Sequence, residues 1–482
     1  GNATMDTIEL IEETAFAIMH SADCAIGYEA ASMVYKGVIG FREDYEVHIR
    51  EGRCTCTYNQ PVPCTSLCPA EVDIPGYIAL VREGRYQDAI RLIRKDNPFP
   101  TTCGFICEHP CEARCRRNMV DDSINIRGLK RLAADLAGKV PPPPCAPSTG
   151  KRVAVVGGGP CGLSAAYYMQ LMGHQVTVFE MLPQLGGMLR YGIPNYRLPK
   201  DRLEEDIEAI LETGVEVKYG LRIGSDITIQ RLREEYDAVL IAIGASTDKK
   251  LGIPNDDAEG IISAVHFLRT IGMGETVDLT GQETIIIGGG NVSMDAARTA
   301  IRMGAKKVSI VYRRRIVDMT ALPSEIEGAI AEGVEVQVLK APMRIEVDET
   351  GHVSGLWVQP QMVSTIRDGR ASIKPTKEKD IFIPCNSIIV AIGQDIEYHH
   401  FEEAGVSVAR GRIHAENYGG FDNIPGVFAG GDCATGPATV IMAISQAKVV
   451  AANIDEYLGF HHEISCDVVI PKASLADRTP CG

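Results

Sequence analysis

Eight of the chain's fifteen cysteines crowd into residues 54–115, spaced as ligands rather than as disulfide partners. The runs are Cys54-x-Cys56, Cys64-x3-Cys68-Pro69 and Cys103-x3-Cys107-x3-Cys111-x3-Cys115. Disulfide density belongs to small secreted domains, so a thiol-rich stretch within 482 residues points to metal. Eight thiolates are what two 4Fe-4S clusters with four cysteine ligands each require. Zinc is the alternative, but it favours tighter C-x2-C pairs and carries no electrons. The others of Cys145, Cys161, Cys385, Cys433, Cys466 and Cys481 have no ligand spacing and read as small buried or incidental thiols.

Two glycine loops supply a second kind of chemistry. Gly157-Gly158-Gly159-Pro160-Cys161-Gly162 follows the β-branched run 153–156 and precedes a helix-like stretch. Gly157, Gly159 and Gly162 would let backbone N–H groups approach a pyrophosphate at the helix N-terminus that Pro160 opens. Glu180 ends the next apolar run, 23 residues after Gly157, where a carboxylate can accept hydrogen bonds from an adenosine's ribose hydroxyls. A tight turn without a ligand is the plain alternative. The second loop offers Gly288, Gly290, Asn291, Val292 and, one turn on, Asp295, with Ser293 where the third glycine would stand. Its next apolar run ends in Tyr312-Arg313-Arg314-Arg315. Guanidinium groups there suit a 2′-phosphate and a carboxylate does not, so the nucleotide is expected to be NADP(H); solvated surface is the usual fate of arginine runs. Two dinucleotides in one chain make chemical sense when a hydride passes between them. The cofactors then carry the chemistry, and no side chain is assigned as acid, base or nucleophile. A disulfide reductase of this architecture needs a redox cysteine pair, and residues 282–384 contain no cysteine.

The elements that must position these groups follow from periodicity. From Lys151 onward, short β-branched runs lead into glycine loops and helical patterns, the signature of βαβ units around parallel sheets. The expected fold is α/β, with two Rossmann-like dinucleotide-binding domains preceded by an α-helical iron-sulfur domain. The expected boundaries are a helical segment at 1–52, the iron-sulfur domain at 53–140 and a Pro-rich linker at 141–150. A first dinucleotide domain is expected at 151–275, interrupted by the second at 276–392 and completed at 393–466, with a tail at 467–482. With 63 acidic against 48 basic residues, the net charge of -15 argues against a general nucleic-acid or anionic-membrane binder. No apolar run approaches the roughly 20 residues of a membrane span, and the N-terminus lacks secretory features, so a cytoplasmic location is expected. The chain opens on Gly1 and stops on a polar tail, which suggests part of a longer polypeptide.

Several motifs also carry a family resemblance. Gly430-Gly431-Asp432, with Thr439 and Val440 opening the following helix, resembles the second flavin signature of two-dinucleotide-domain flavoproteins, which implies that the first loop holds FAD. The stretch Cys64–Pro75, Asn97-Pro98-Phe99-Pro100 with the cysteines after it, Ile124–Leu129 and Gly186–Pro194 complete a pattern that resembles the glutamate synthase small subunit family. That family includes the NADPH-binding subunit of electron-bifurcating ferredoxin:NADP transhydrogenases. The resemblance adds Gly187, Arg190, Gly244, Gly431, Asp432, Thr439, Val440 and Ile441 as flavin contacts. It implies FAD, NADP(H) and two 4Fe-4S clusters, one on Cys68, Cys107, Cys111 and Cys115, the other with three ligands from Cys54, Cys56 and Cys64. Relatives supply a Gln or Glu as the fourth; here Lys130 and Arg131 stand there, and Cys103 is the expected substitute. The first fifty residues resemble the C-terminal helical domain of the NADH-binding flavoprotein subunit of NADH dehydrogenases and hydrogenases. On that resemblance Cys24 is either a fourth cluster ligand whose partners lie outside this chain or a buried free thiol. Partner subunits are therefore expected, with an NADH-oxidising module and ferredoxin as candidates; a glutamate synthase complex and a non-catalytic assembly subunit are the other readings.

Overall fold

The computed structural model describes residues 3–51, 62–367, 370–415 and 420–471. They fall into two compact units, Gly1–Val62 with Val469–Gly482, and Pro63–Val468. Cys54, Cys56 and Cys481 lie outside the described residues.

In the first unit, helices Met5–Ser21 and Ala25–Gly40 fold back on one another, followed by Arg42–Glu51. Ile8, Ala15, Ala31 and Val38 fill the seam. Thr4 and Thr7 cap the first helix, and the Cys24 thiol caps the second by accepting from the Gly27 N–H at 3.4 Å. Arg42 binds Glu12 on the first helix and Glu46 at 3.0 Å on its own. Cys24 is exposed, which excludes a buried thiol.

The second unit opens with the cysteine-bearing helices. Ile74–Arg82, Tyr86–Arg94, Pro100–Ile106 and Ile126–Leu136 pack around buried Leu80, Ile93 and Ala133, and the Tyr77 hydroxyl donates to the Ile126 carbonyl at 2.9 Å. Residues 139–150 form neither helix nor strand and are mostly exposed, as consecutive prolines dictate. Beyond them stands a six-stranded sheet in the order Gly420–Phe421, Ile424–Ala429, Ala238–Ile241, Arg152–Val156, Gln175–Glu180, Glu216–Tyr219. All its pairings are parallel except the first. The central strand is apolar and buried after its first residue, as in a sheet covered on both faces.

A second parallel sheet runs Ile261–Ser263, Ser387–Val390, Glu283–Ile287, Lys307–Tyr312, Glu335–Val338. An antiparallel sheet, Lys340–Val347, Val353–Arg367, Arg370–Pro375 and Ile381–Pro384, is inserted before its strand Ser387–Val390. The chain crosses between the parallel sheets twice, and the crossings pair as Thr247–Asp248 with Gln394–Asp395. In each parallel sheet the strand ahead of the glycine loop lies between the next strand in sequence and a much later one. That is the topological switch point, where open α/β sheets form a ligand crevice.

Candidate functional site

The first glycine loop leaves the C-terminal end of Arg152–Val156 and opens helix Pro160–Leu171, whose N-cap, Gly159, makes no side-chain cap. The loop's glycines have different reasons to lack a side chain. A Cβ on Gly157 would stand 2.5 Å from the Ala242 carbonyl, and one on Gly162 would stand 2.0 Å from that of Gly157. A Cβ on Gly159 would meet only the Gly187 Cα, at 3.9 Å. Protein packing thus explains Gly157 and Gly162, whereas Gly159 keeps open the space above uncapped N–H groups, as a pyrophosphate requires. Glu180 is 5% exposed; burial raises its pKa, against backbone N–H donors including Leu182 and Gly158, each at 2.8 Å.

Gly157, Gly159, Pro160, Glu180, Gly187, Gly244 and Asp432 line one cleft together. Burial holds Asp432 up at about 6. Gly431 adopts φ +77°, which lets the turn place Asp432, and Thr439 caps helix Val440–Tyr457 by accepting from the Met442 N–H at 3.4 Å; Ala443 of that helix lines the cleft. Arg190 is turned away into the protein, donating to the Leu185 carbonyl at 2.5 Å and pairing with Glu204.

The second loop repeats the geometry. Helix Asn291–Arg302 has Gly290 as an N-cap without a side-chain cap, and a Cβ on Gly290 would meet only Thr320 Oγ1, at 3.4 Å. Gly288, Gly290, Asn291, Val292, Arg313 and Arg314 line a second cleft. The three arginines are not equivalent there. Arg315 is spent on Asp318, through Nε and Nη2 at 2.8 Å each, while the buried Arg314 Nε has no hydrogen-bond partner among the described residues. An unpartnered guanidinium N–H at the rim of a nucleotide-sized cleft fits a 2′-phosphate. Asp295 lies outside this cleft: its Oδ2 meets Arg197 Nη1 at 2.7 Å, and burial, partly offset by Arg197, holds it up at about 6.

Cys68, Cys107 and Cys111 line a third, smaller cavity with Tyr77, Lys130 and Ile441. Cys64 and Cys115 are half-buried and are not among the residues lining this cavity. Cys103, fully buried, donates weakly to Asn97 at 3.9 Å and lies in the fields of Lys130 and Cys107. Burial pushes the Cys103 and Cys111 thiols up to about 12. Such thiols become thiolates when a cationic metal centre supplies the compensating charge, so the donor set fits an iron-sulfur cluster.

The chain matches the pyridine nucleotide-disulphide oxidoreductase family over residues 151–447, which is more than half its length. It belongs to that family. Its members are NAD(P)-dependent oxidoreductases, and membership implies that the chain binds FAD and NAD(P). Residues 38–140 match the 4Fe-4S domain described as dihydropyrimidine dehydrogenase domain II. The chain is 39% identical to the NADP(+)-dependent formate dehydrogenase subunit beta of Moorella thermoacetica over 82% of its own length, but spans 60% of that protein. It is 34% identical to the NADPH-Fe(3+) oxidoreductase subunit beta of Geobacter sulfurreducens, covering 95% of this chain and 73% of that one. With the glutamate synthase [NADPH] small chain of Escherichia coli it shares 32% identity over 82% of this chain and 88% of that one. FprA of Mycobacterium tuberculosis in complex with NADPH shares the fold, with a TM-score of 0.55 at 21% identity, covering 65% of this chain and 85% of FprA.

Within this family fold, one feature of the first cleft had no sequence signal. Arg269, on helix Ala264–Gly272, lines the cleft, donates to the Ser246 carbonyl at 2.5 Å and keeps its buried Nε without a partner among the described residues. It follows a strand of the other sheet, so only the tertiary fold brings it here. Among the described residues, no helix is long and apolar enough to cross a membrane.

Proposed function

We propose that the chain is the FAD- and iron-sulfur-bearing subunit of a cytoplasmic, NADPH-linked electron-transfer complex, coupling NADP(H) to NAD(H), ferredoxin or both through partner subunits. One observation carries this reading. The short segment 432–443 touches all three cavities: Asp432 and Ala443 line the first cleft, Pro437 the second, and Ile441 the cysteine cavity. A nicotinamide, a flavin and a cluster held in those places would be neighbours across one turn and the start of one helix.

Flavin bound in the first cleft would take a hydride from the nicotinamide and return its two electrons one at a time. The chain's own residues orient and select. Gly159 and Gly290 leave room for the two pyrophosphates over uncapped helix N-termini, and Glu180 is placed for the ribose of the first. Arg313 and Arg314 select the 2′-phosphate, while Asp318 keeps Arg315 out of that role. Ile441, buried and apolar, lines the cluster side two residues before Ala443 lines the flavin side, and keeps water out of that stretch of the electron's path. The relatives named as beta subunits and as a small chain support the expectation of partners.

Coverage of most of the glutamate synthase small chain favours a second reading, delivery of NADPH electrons to a glutamine-dependent amidotransferase. To separate them, the native complex is purified, its flavin, iron and sulfide are quantified, and NADPH oxidation is assayed with NAD, with ferredoxin, and with 2-oxoglutarate plus glutamine. Turnover with NAD or ferredoxin supports the first reading. Turnover confined to 2-oxoglutarate plus glutamine replaces it with the second.

A further inference from the structure

Lys130 is a side chain that neither nucleotide cleft uses. It lies on helix Ile126–Leu136, is 7% exposed, and forms one wall of the cavity whose other walls include Cys68, Cys107, Cys111 and Ile441. An ammonium taken out of water is costly and survives only beside compensating negative charge. The cavity's other walls would supply it, because Cys68, Cys107 and Cys111 would carry negative charge as thiolates once they hold a cluster.

An iron-sulfur cluster gains one negative charge on taking an electron, and its potential is set largely by net charge and local polarity. A fixed cation in a dry site beside it stabilises the reduced form more than the oxidised one, because the interaction is poorly screened there. Ile441, at the start of helix Val440–Tyr457, makes this the cavity next to the flavin cleft. We propose that Lys130 is the counter-cation of the cluster held by Cys68, Cys107 and Cys111, raising its reduction potential so that it accepts electrons leaving the flavin one at a time. The proposal rests on the electron-transfer reading above. In balance, one hydride delivers two electrons to the flavin, and each cluster reduction removes one.

The full-length chain with reconstituted clusters is compared as wild type, Lys130→Met and Lys130→Arg. Iron and flavin are quantified, and the clusters are titrated with a chemical reductant in place of NADPH while electron paramagnetic resonance is recorded. The charge role predicts that Lys130→Met lowers one midpoint enough to reduce that cluster's reduced-to-oxidised ratio about tenfold at fixed potential, which is about 59 mV for one electron. The other cluster signal stays in place, and Lys130→Arg stays close to wild type. If Lys130→Met loses iron while Lys130→Arg keeps its cluster and potential, the charge role also stands. An unchanged midpoint in Lys130→Met, or equal loss of iron from both variants, overturns it. Because the titrant is chemical, clusters that titrate as predicted yet are not reduced by NADPH would defeat the proposed function and leave the role of Lys130 intact.

Discussion

Gly159 and Arg314 are the single residues on which the nucleotide reading leans most. A methyl group at Gly159 meets nothing nearer than 3.9 Å, so Gly159→Ala is expected to fold normally yet purify with little flavin, since the methyl occupies the pyrophosphate's place. Full flavin content with an unchanged thermal midpoint would reject that use of the loop. Arg314→Ala removes a charge-assisted contact of about 1.5–3 kcal/mol, so the KM for NADPH should rise on the order of 10- to 100-fold with the KM for NADH unmoved. Arg315→Ala, which breaks the Asp318 pair, should shift NADPH affinity far less; steady-state kinetics with both nucleotides separates the two. The sequence showed an arginine cluster at the right place and could not rank its members, because the Arg315–Asp318 pair depends on a turn that brings residues three apart together. Arg190 and Asp295 were equally opaque: each sits within a motif, but Glu204 and Arg197 turn them to structural use.

At the scale of elements, both βα units were legible, because periodicity, glycine placement and β-branched runs all point one way. The division of the thiols was not. Spacing along the chain says nothing of which loop faces which, and only the fold brings Cys68 to the cavity lined by Cys107 and Cys111. The three-residue strand Ile261–Ser263 likewise carries no mark of the sheet it joins. The junction of helices Pro100–Ile106 and Lys200–Leu211 makes a test at this scale. Asp206, fully buried on the second helix, accepts from the backbone N–H of Thr101 at 3.3 Å and of Thr102 at 2.7 Å at the start of the first. Burial lifts its pKa from 3.8 to about 6, with the Thr102 N–H opposing. The folded chain therefore holds a proton that the unfolded chain releases. The associated stability is fully present below about pH 4 and is lost as pH rises through about 6, to the extent of roughly 3 kcal/mol. Asp206→Asn, which cannot ionise, should flatten the pH dependence of the unfolding midpoint across that window. Asp295 and Asp432, also raised to about 6, leave part of the slope. A slope equal to wild type would show that Asp206 is ionised in the folded protein throughout.

For the whole molecule, the account requires the three cavities to act in series through segment 432–443. Cys111→Ala should cost about four iron atoms per chain and abolish electron delivery to one-electron acceptors, while NADPH still bleaches the flavin, since Cys111 lines neither nucleotide cleft. Loss of flavin reduction in that variant would mean that the cysteine domain builds the flavin cleft instead of draining it. The most direct test of the series is an anaerobic titration of the full-length, cluster-loaded chain with NADPH, followed by flavin absorbance and by electron paramagnetic resonance on the same samples. The account predicts that the flavin bleaches and a reduced 4Fe-4S signal grows together, at NADPH concentrations well below those of NADH needed for the same effect. Bleaching of the flavin with every cluster left oxidised, in protein shown to contain its iron and sulfide, would contradict it.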